Sequence, residues 1–138
     1  LRSGVELNSL DHFLNVDDIA VLRYAGLGPE EKARVILQAL RQMGKRYDFN
    51  FDVETRDRLG CAELIYHAYG QADWPTRKWW GRSVIVPDDI VVRAVGDGPL
   101  FVVRLYIDGD QVTEDPRQVL ESLTKQPQKQ GWHSEFTE

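Results

Sequence analysis

Cys61 is the single cysteine of the chain, and it stands directly after Gly60 at the start of a predicted helix that runs to about Gln71. A thiol at the first position of a helix faces backbone N–H groups that lack an intrahelical partner and the positive end of the helix dipole, which together favour the thiolate. That is a nucleophile's position, and Gly60 adds no side chain to obstruct an approaching substrate. At about 100° per residue, Cys61 shares a stripe with Leu64, Ile65, Ala68, Tyr69 and Ala72, while Glu63, Tyr66, His67 and Gly70 face the other way. The sulfur is therefore expected to point at a sheet. The thiol of a hydrolase meets its histidine base there, but an inert core cysteine points the same way.

A nucleophilic thiol needs a base within hydrogen-bond reach. The chain has three histidines. His67 lies about 120° round and about 9 Å along an ideal helix from Cys61, which removes it as the base and makes it a surface residue. His12 sits in a short segment ahead of Phe13, and His133 in a polar stretch near the C-terminus. Neither is placed beside the thiol, so the base is expected outside the chain as given.

Two other clusters could carry chemistry. Asp48, Asn50, Asp52 and Glu54 alternate as in a calcium loop, but Val53 stands where glycine is required and Leu59 where the bidentate glutamate should be. They are read as the solvated face of a strand. Trp74, Trp79 and Trp80 lie with Arg77 and Lys78 on a predicted loop, where Trp79 and Trp80 can form an aromatic, cationic wall for a peptide, glycan or lipid substrate. The bland alternative is tryptophans covering the edge of a core.

These residues must be held by a single domain. A chain of 138 residues with 42% hydrophobic and 28% charged residues can bury one core of ordinary size. Seventeen Lys and Arg against 22 Asp and Glu give a net charge of −5, so no global positive field draws in nucleic acid or an anionic membrane. The apolar runs fall far short of the ~20 residues of a transmembrane helix. One cysteine excludes an internal disulfide framework and any multi-cysteine metal site. Leu1 is not an initiator methionine, and no signal peptide follows it, so the chain reads as a fragment or processed piece.

Periodicity gives the elements. A short helix is expected at Ser9–Leu14 with Ser9 as cap, a buried strand at Ile19–Tyr24, and an amphipathic helix over Pro29–Met43 with Ala33, Ile36, Leu37, Leu40 and Met43 on its apolar face. Strict alternation over Tyr47–Val53 predicts a half-buried strand. Val84–Val86, Ile90–Val95 and Leu100–Ile107 read as strands, separated by turns at Pro87-Asp88-Asp89 and Gly96-Asp97-Gly98-Pro99. Asp108-Gly109 suits a hairpin turn into Gln111-Val112, and Asp115 caps a helix to Leu123 with Pro116 at its first position. Residues 1–124 form the domain, and residues 125–138 are expected to be a flexible tail.

Gly44-Lys45-Arg46-Tyr47-Asp48-Phe49-Asn50-Phe51-Asp52, followed by Cys61-Ala62-Glu63-Leu64-Ile65-Tyr66-His67-Ala68-Tyr69, resembles the signature of the YiiX-like proteins. These are circularly permuted papain-fold hydrolases allied to the NlpC-type cell-wall peptidases, with a Gly-x-x-Tyr-Asp stretch leading into Cys-Ser-Glu-Leu at a helix start. Val84-Ile85-Val86-Pro87-Asp88-Asp89-Ile90 and Asp108-Gly109 are similar to the family's C-terminal strands, so the resemblance spans about Gly4 to Val112. It implies Cys61 as catalytic nucleophile, with a histidine base and an orienting polar residue that precede it in the permuted order, ahead of a step like Gly4-Val5. This sequence begins at that step, and it has Ala62 where serine is usual. By the same resemblance Tyr47 corresponds to a tyrosine that can place its hydroxyl near a developing oxyanion. Glu63 matches an acidic position and is read as structural.

The expectation is thus an α+β domain with two or three helices packed on an antiparallel sheet, the larger C-terminal part of a permuted papain-like, NlpC-type fold. Its activity would be covalent catalysis at Cys61 on an amide, peptide or ester carbonyl through a thioester. The substrate would be a peptide, cell-wall or lipid-like molecule. No metal or organic cofactor is implied. The rival is a non-catalytic binding module or degenerate relative whose cysteine is packing and whose tryptophans carry recognition.

Overall fold

The computed structural model describes residues 4–70 and 73–125. In chain order the elements are α1 (Leu10–Phe13), β1 (Ile19–Tyr24), α2 (Pro29–Leu40), α3 (Cys61–Ala68), β2 (Arg77–Trp79), β3 (Arg82–Val84), α4 (Pro87–Val95), β4 (Leu100–Ile107), β5 (Asp110–Gln111) and α5 (Pro116–Lys125). Among the described residues, an antiparallel sheet of order β1-β4-β5 and a separate β2-β3 hairpin join five helices in an α+β arrangement. The long strand β4 is central, pairing with β1 from Tyr24↔Leu100 to Ile19↔Tyr106 with a bulge after Val21.

Two apolar clusters share this frame. Val53, Ala62, Trp74, Ile85, Ile90, Ala94 and Leu100 form the one behind α3. Val95, Leu105 and Leu120 form the other, between α4, β4 and α5. The helix α2 departs from this pattern: it has no buried residue, and Ile36, Leu37 and Leu40 of its apolar face are exposed. No helix among the described residues is long and apolar enough to cross a membrane.

Most predicted elements are present. Ser9 caps α1 by accepting from the His12 N–H, and Asp115 accepts from the Gln118 N–H at 3.0 Å to start α5 with Pro116 first. Boundaries shorten: α2 ends at Leu40 rather than Met43, and α3 at Ala68 rather than Gln71. The Asp108-Gly109 turn leads from β4 into β5 as expected.

Three expectations are corrected. Ile90–Val95 is not a strand but part of α4, and Pro87-Asp88-Asp89 is its first turn. Pro87 occupies the first helical position, and the Asp89 carboxylate reaches back to accept the Val86 N–H at 3.0 Å. The β-branched composition was outweighed by burial at helical spacing, with Ile90, Ala94 and Val95 all inside. Within the segment Trp74–Gly81, read as a loop, Trp74–Thr76 is irregular as expected, but Arg77–Gly81 is strand and turn of the β2-β3 hairpin, turning at Trp80 (φ 51°) and Gly81 (φ 76°) with both φ positive.

The third correction is Tyr47–Val53, which is an irregular loop and not a strand. Asp48 turns inward, 1% exposed, and its carboxylate accepts from the Asn50 N–H at 2.9 Å and the Asp52 N–H at 3.4 Å. These local bonds replace a ladder, and Phe51 takes a left-handed φ of 53°. Asp48 is therefore not part of a solvated face, although Asn50 and Glu54 are exposed as expected. The expected tail lies, apart from Lys125, outside the described residues.

Candidate active site

The start of α3 is built by three neighbours in sequence. Gly60 is the N-cap, Cys61 the first helical residue, and Glu63 the third, whose Oε2 reaches back to accept the Gly60 N–H at 2.5 Å. A side chain at Gly60 would not fit: a Cβ there would lie 2.9 Å from Glu63 Oε2 and 3.0 Å from the Phe51 ring. Glycine is thus required by close approach of the loop, not by its φ of −77°. The Cys61 thiol is exposed. This corrects the expectation that the sulfur points into the sheet, and it removes the core-packing account of the cysteine. Ala62 and Glu63 are buried in its place, while Ala68 of the expected stripe is buried as well.

Tyr47 is brought to the thiol. Its hydroxyl shares a hydrogen bond with Cys61, while its ring meets Phe49 at 4.7 Å and Phe51 at 6.4 Å between centroids. Burial first, then the charges of Cys61, Glu63 and Asp48, and finally the bond to Cys61 hold the hydroxyl above its ordinary range. The phenol therefore keeps its proton at neutral pH and is a donor.

Beneath this pair lie two buried carboxyl groups, Glu63 at 0% and Asp48 at 1% exposure. Burial pushes the Glu63 carboxyl up, the Gly60 N–H draws it down, and the charges of Asp48 and Asp52 push it up again, to about 7. Glu63 is therefore partly protonated at neutrality. Its Oε1 is buried with no hydrogen-bond partner among the described residues.

The other sequence candidates fall elsewhere. Trp79 and Trp80 are exposed at the tip of the β2-β3 hairpin, Trp80 at 92%. The hairpin is tied to the loop of Tyr47 through the Val53 N–H to the Ser83 carbonyl at 3.0 Å and by a 3.9 Å pair between Arg82 and Asp52. Trp74 is separated from them in the core, where it meets Tyr24 and Tyr69 edge-on. Arg77 is paired with Asp89 of α4 at 2.6 Å, which offsets its charge, and Lys78 donates to Ser83 across the hairpin at 2.7 Å. His12 is exposed on α1, and His133 lies outside the described residues. His67 is half-buried rather than a surface residue. Sequence reasoning missed the inward turn of Asp48 and the burial of Glu63; the signal available was the pairing of an N-cap glycine with an acid three residues on.

Residues 1–131 match the model of a family described as permuted papain-like amidase enzyme, YaeF/YiiX, C92 family. No curated protein and no solved structure matches the chain.

Proposed function

The chain belongs to the family of permuted papain-like amidases of the YaeF/YiiX kind, and on that footing we propose that it is the thiol-bearing part of a cysteine hydrolase in which Cys61 is the nucleophile. The observation that carries this reading is an exposed thiol at the first residue of α3 in hydrogen-bond contact with the Tyr47 hydroxyl. A histidine upstream of Gly4 supplies the base. In support, Gly4 bridges to Arg46, the residue that precedes Tyr47, and the Val5 N–H reaches the Lys45 carbonyl at 2.9 Å.

In the proposed reaction the base takes the thiol proton and sulfur attacks the carbonyl carbon of an amide, peptide or ester. The tetrahedral oxyanion forms next to the Tyr47 hydroxyl, which donates to it. The C–N or C–O bond then breaks, the leaving group takes the proton from the base, and the acyl group remains as a thioester on Cys61. Water, deprotonated by the same base, resolves the thioester to a carboxylic acid and the free thiol. Trp79 and Trp80 offer the apolar contact for a peptide, cell-wall or lipid-like substrate.

The test is acyl transfer from p-nitrophenyl acetate and an N-acetyl p-nitroanilide to the full-length protein, with mass spectrometry of the acylated peptide. An acetyl thioester on Cys61 is expected, and Cys61→Ala should lower turnover about a thousandfold or more. Turnover that survives Cys61→Ala would remove the thiol from the mechanism.

A further inference from the structure

At the far end of α3 from the thiol, a cleft of about 530 Å³ opens between that helix, the 53–56 loop and the β2-β3 hairpin. Arg56, Tyr66, His67, Thr76 and Ser83 line it, with Glu54 also at its wall. Cys61 is not among its lining residues, and the proposed hydrolysis uses none of them.

His67 is the informative group. Its Nε2 is buried and has no hydrogen-bond partner among the described residues. Native interiors rarely leave such an atom unpaired, so an unpaired one at a cleft wall marks where a ligand atom belongs. Burial first, then the positive charges of Lys45 and Arg56, hold the imidazole below its ordinary range. The two cations thus add to burial in opposing a positive charge on the imidazole. No ion pair of Lys45 or Arg56 is formed among the described residues, unlike those of Arg58, Arg77, Arg82 and Lys125.

We propose that this cleft binds one oxyanionic group, a carboxylate or a tetrahedral sulfate- or phosphate-like anion, between His67 Nε2 and the Arg56 guanidinium. The hydroxyls of Tyr66, Thr76 and Ser83 supply further donors; Ser83 Oγ already accepts from Lys78 Nζ and so has its own O–H to give. Two features oppose an anion. The carbonyl end of α3 carries a partial negative charge, and Glu54 stands at the wall. The dipole of an eight-residue helix is smaller than a full charge, and Glu54 is not among the charges that act on His67, whereas both cations are. Two cations, Lys45 and Arg56, thus stand against the one carboxylate of the cleft wall.

Bound anion and protonated His67 stabilise each other, so binding takes up a proton and tightens as pH falls. The groups facing the imidazole are Lys45 and Arg56 from the loop and the Tyr66 ring at 5.3 Å on its own helix. The hairpin contributes the uncharged Thr76 and Ser83 to the cleft.

The experiment is titration of the whole chain with sodium sulfate and, separately, sodium acetate, followed by the NMR signal of the His67 Cε1–H at fixed ionic strength. Neither anion titrates between pH 6 and 8. A saturable shift is expected for at least one of them, with sulfate preference identifying a tetrahedral ligand and acetate preference a carboxylate. The dissociation constant should rise about fivefold or more from pH 6 to pH 8. Arg56→Gln, at an exposed position, should weaken binding about tenfold, and His67→Gln should abolish the pH dependence. Lys125→Gln, on α5, should change nothing. Shifts that stay linear with both anions, or binding that Arg56→Gln leaves intact, would overturn the proposal.

Discussion

Helices α2 and α3 begin with the same local device and end in opposite environments. Gly28 and Gly60 are both N-caps with extended backbones, and in both helices a glutamate at the third position reaches back to the cap N–H, Glu31 at 2.9 Å and Glu63 at 2.5 Å. Around Gly28 the bond is exposed, and no residue of α2 is buried. Around Gly60 the loop of Tyr47, Asp48 and Phe51 covers the same bond, and Glu63 is sealed from water. One sequence pattern thus gives a solvent-facing helix start in one place and a titrating carboxyl beside an exposed thiol in the other. What differs is the loop laid across it, not the helix.

The strongest way to break this contrast is to put a methyl group on each cap. Gly60→Ala drives a Cβ to within 2.9 Å of Glu63 Oε2 and 3.0 Å of Phe51, so the buried acid or the ring must move. Overpacking of this kind costs about 2–3 kcal/mol. In Gly28→Ala the nearest atom is Glu31 Oε2 at an ordinary 3.7 Å, and the loss should be about 1 kcal/mol or less, from cap preference alone. Urea denaturation of the two variants measures both. Equal losses would show that the loop does not press on α3.

A smaller effect, of opposite sign at the two helices, is expected when each glutamate becomes glutamine. Glu63 has its folded value raised from the usual carboxylate range to about 7, so the folded protein holds this proton more tightly than the unfolded chain. Its contribution is present in full below about pH 4.5, declines as pH rises, and is lost above about 7. Glu63→Gln keeps an oxygen to accept from Gly60 and removes the buried charge. Its melting temperature relative to the parent should therefore climb from pH 5 to pH 8 by several degrees, corresponding to about 2 kcal/mol. At pH 8, Glu31→Gln removes an exposed charge that favours the helix N-terminus, and it should destabilise by about 0.5 kcal/mol. A Glu63→Gln variant whose relative melting temperature stays flat with pH would refute the buried titration.

The contrast also marks what the sequence could disclose. Helical spacing placed α2 and the start of α3, and the Gly60-Cys61 step identified the thiol, because these depend on residues within a turn of one another. Whether an amphipathic face finds a partner depends on chain far away in sequence: the stripe of Ile36, Leu37 and Leu40 is as regular as any buried one, yet it is exposed. The alternation of Tyr47, Phe49 and Phe51 misled for a related reason. A strand needs a neighbour to pair with, and Asp48 instead satisfies the N–H groups of Asn50 and Asp52 from within the segment. Membership of a family of amidases was legible from the paired motifs around Tyr47 and Cys61. The burial of Glu63 and the cleft at His67 were not, since both are made by the loop's path and not by its spacing.

The loop's own contribution to the thiol is the finest distinction between the two helix starts, and Tyr47→Phe isolates it. The substitution leaves the ring among Phe49 and Phe51 and removes only the hydroxyl that bonds to Cys61. A hydrogen bond donated to a sulfur that becomes charged in reaction contributes about 1 kcal/mol at a partly exposed site. With one cysteine in the chain, iodoacetamide reports on Cys61 alone. The alkylation rate at pH 7 should fall about fivefold in Tyr47→Phe, with the urea midpoint nearly unchanged. An unchanged rate would mean that the phenol is a wall and not a donor. A fallen rate with a large loss of stability would mean that it holds the loop in place, and the thiol would then owe its setting to α3 and Glu63 alone.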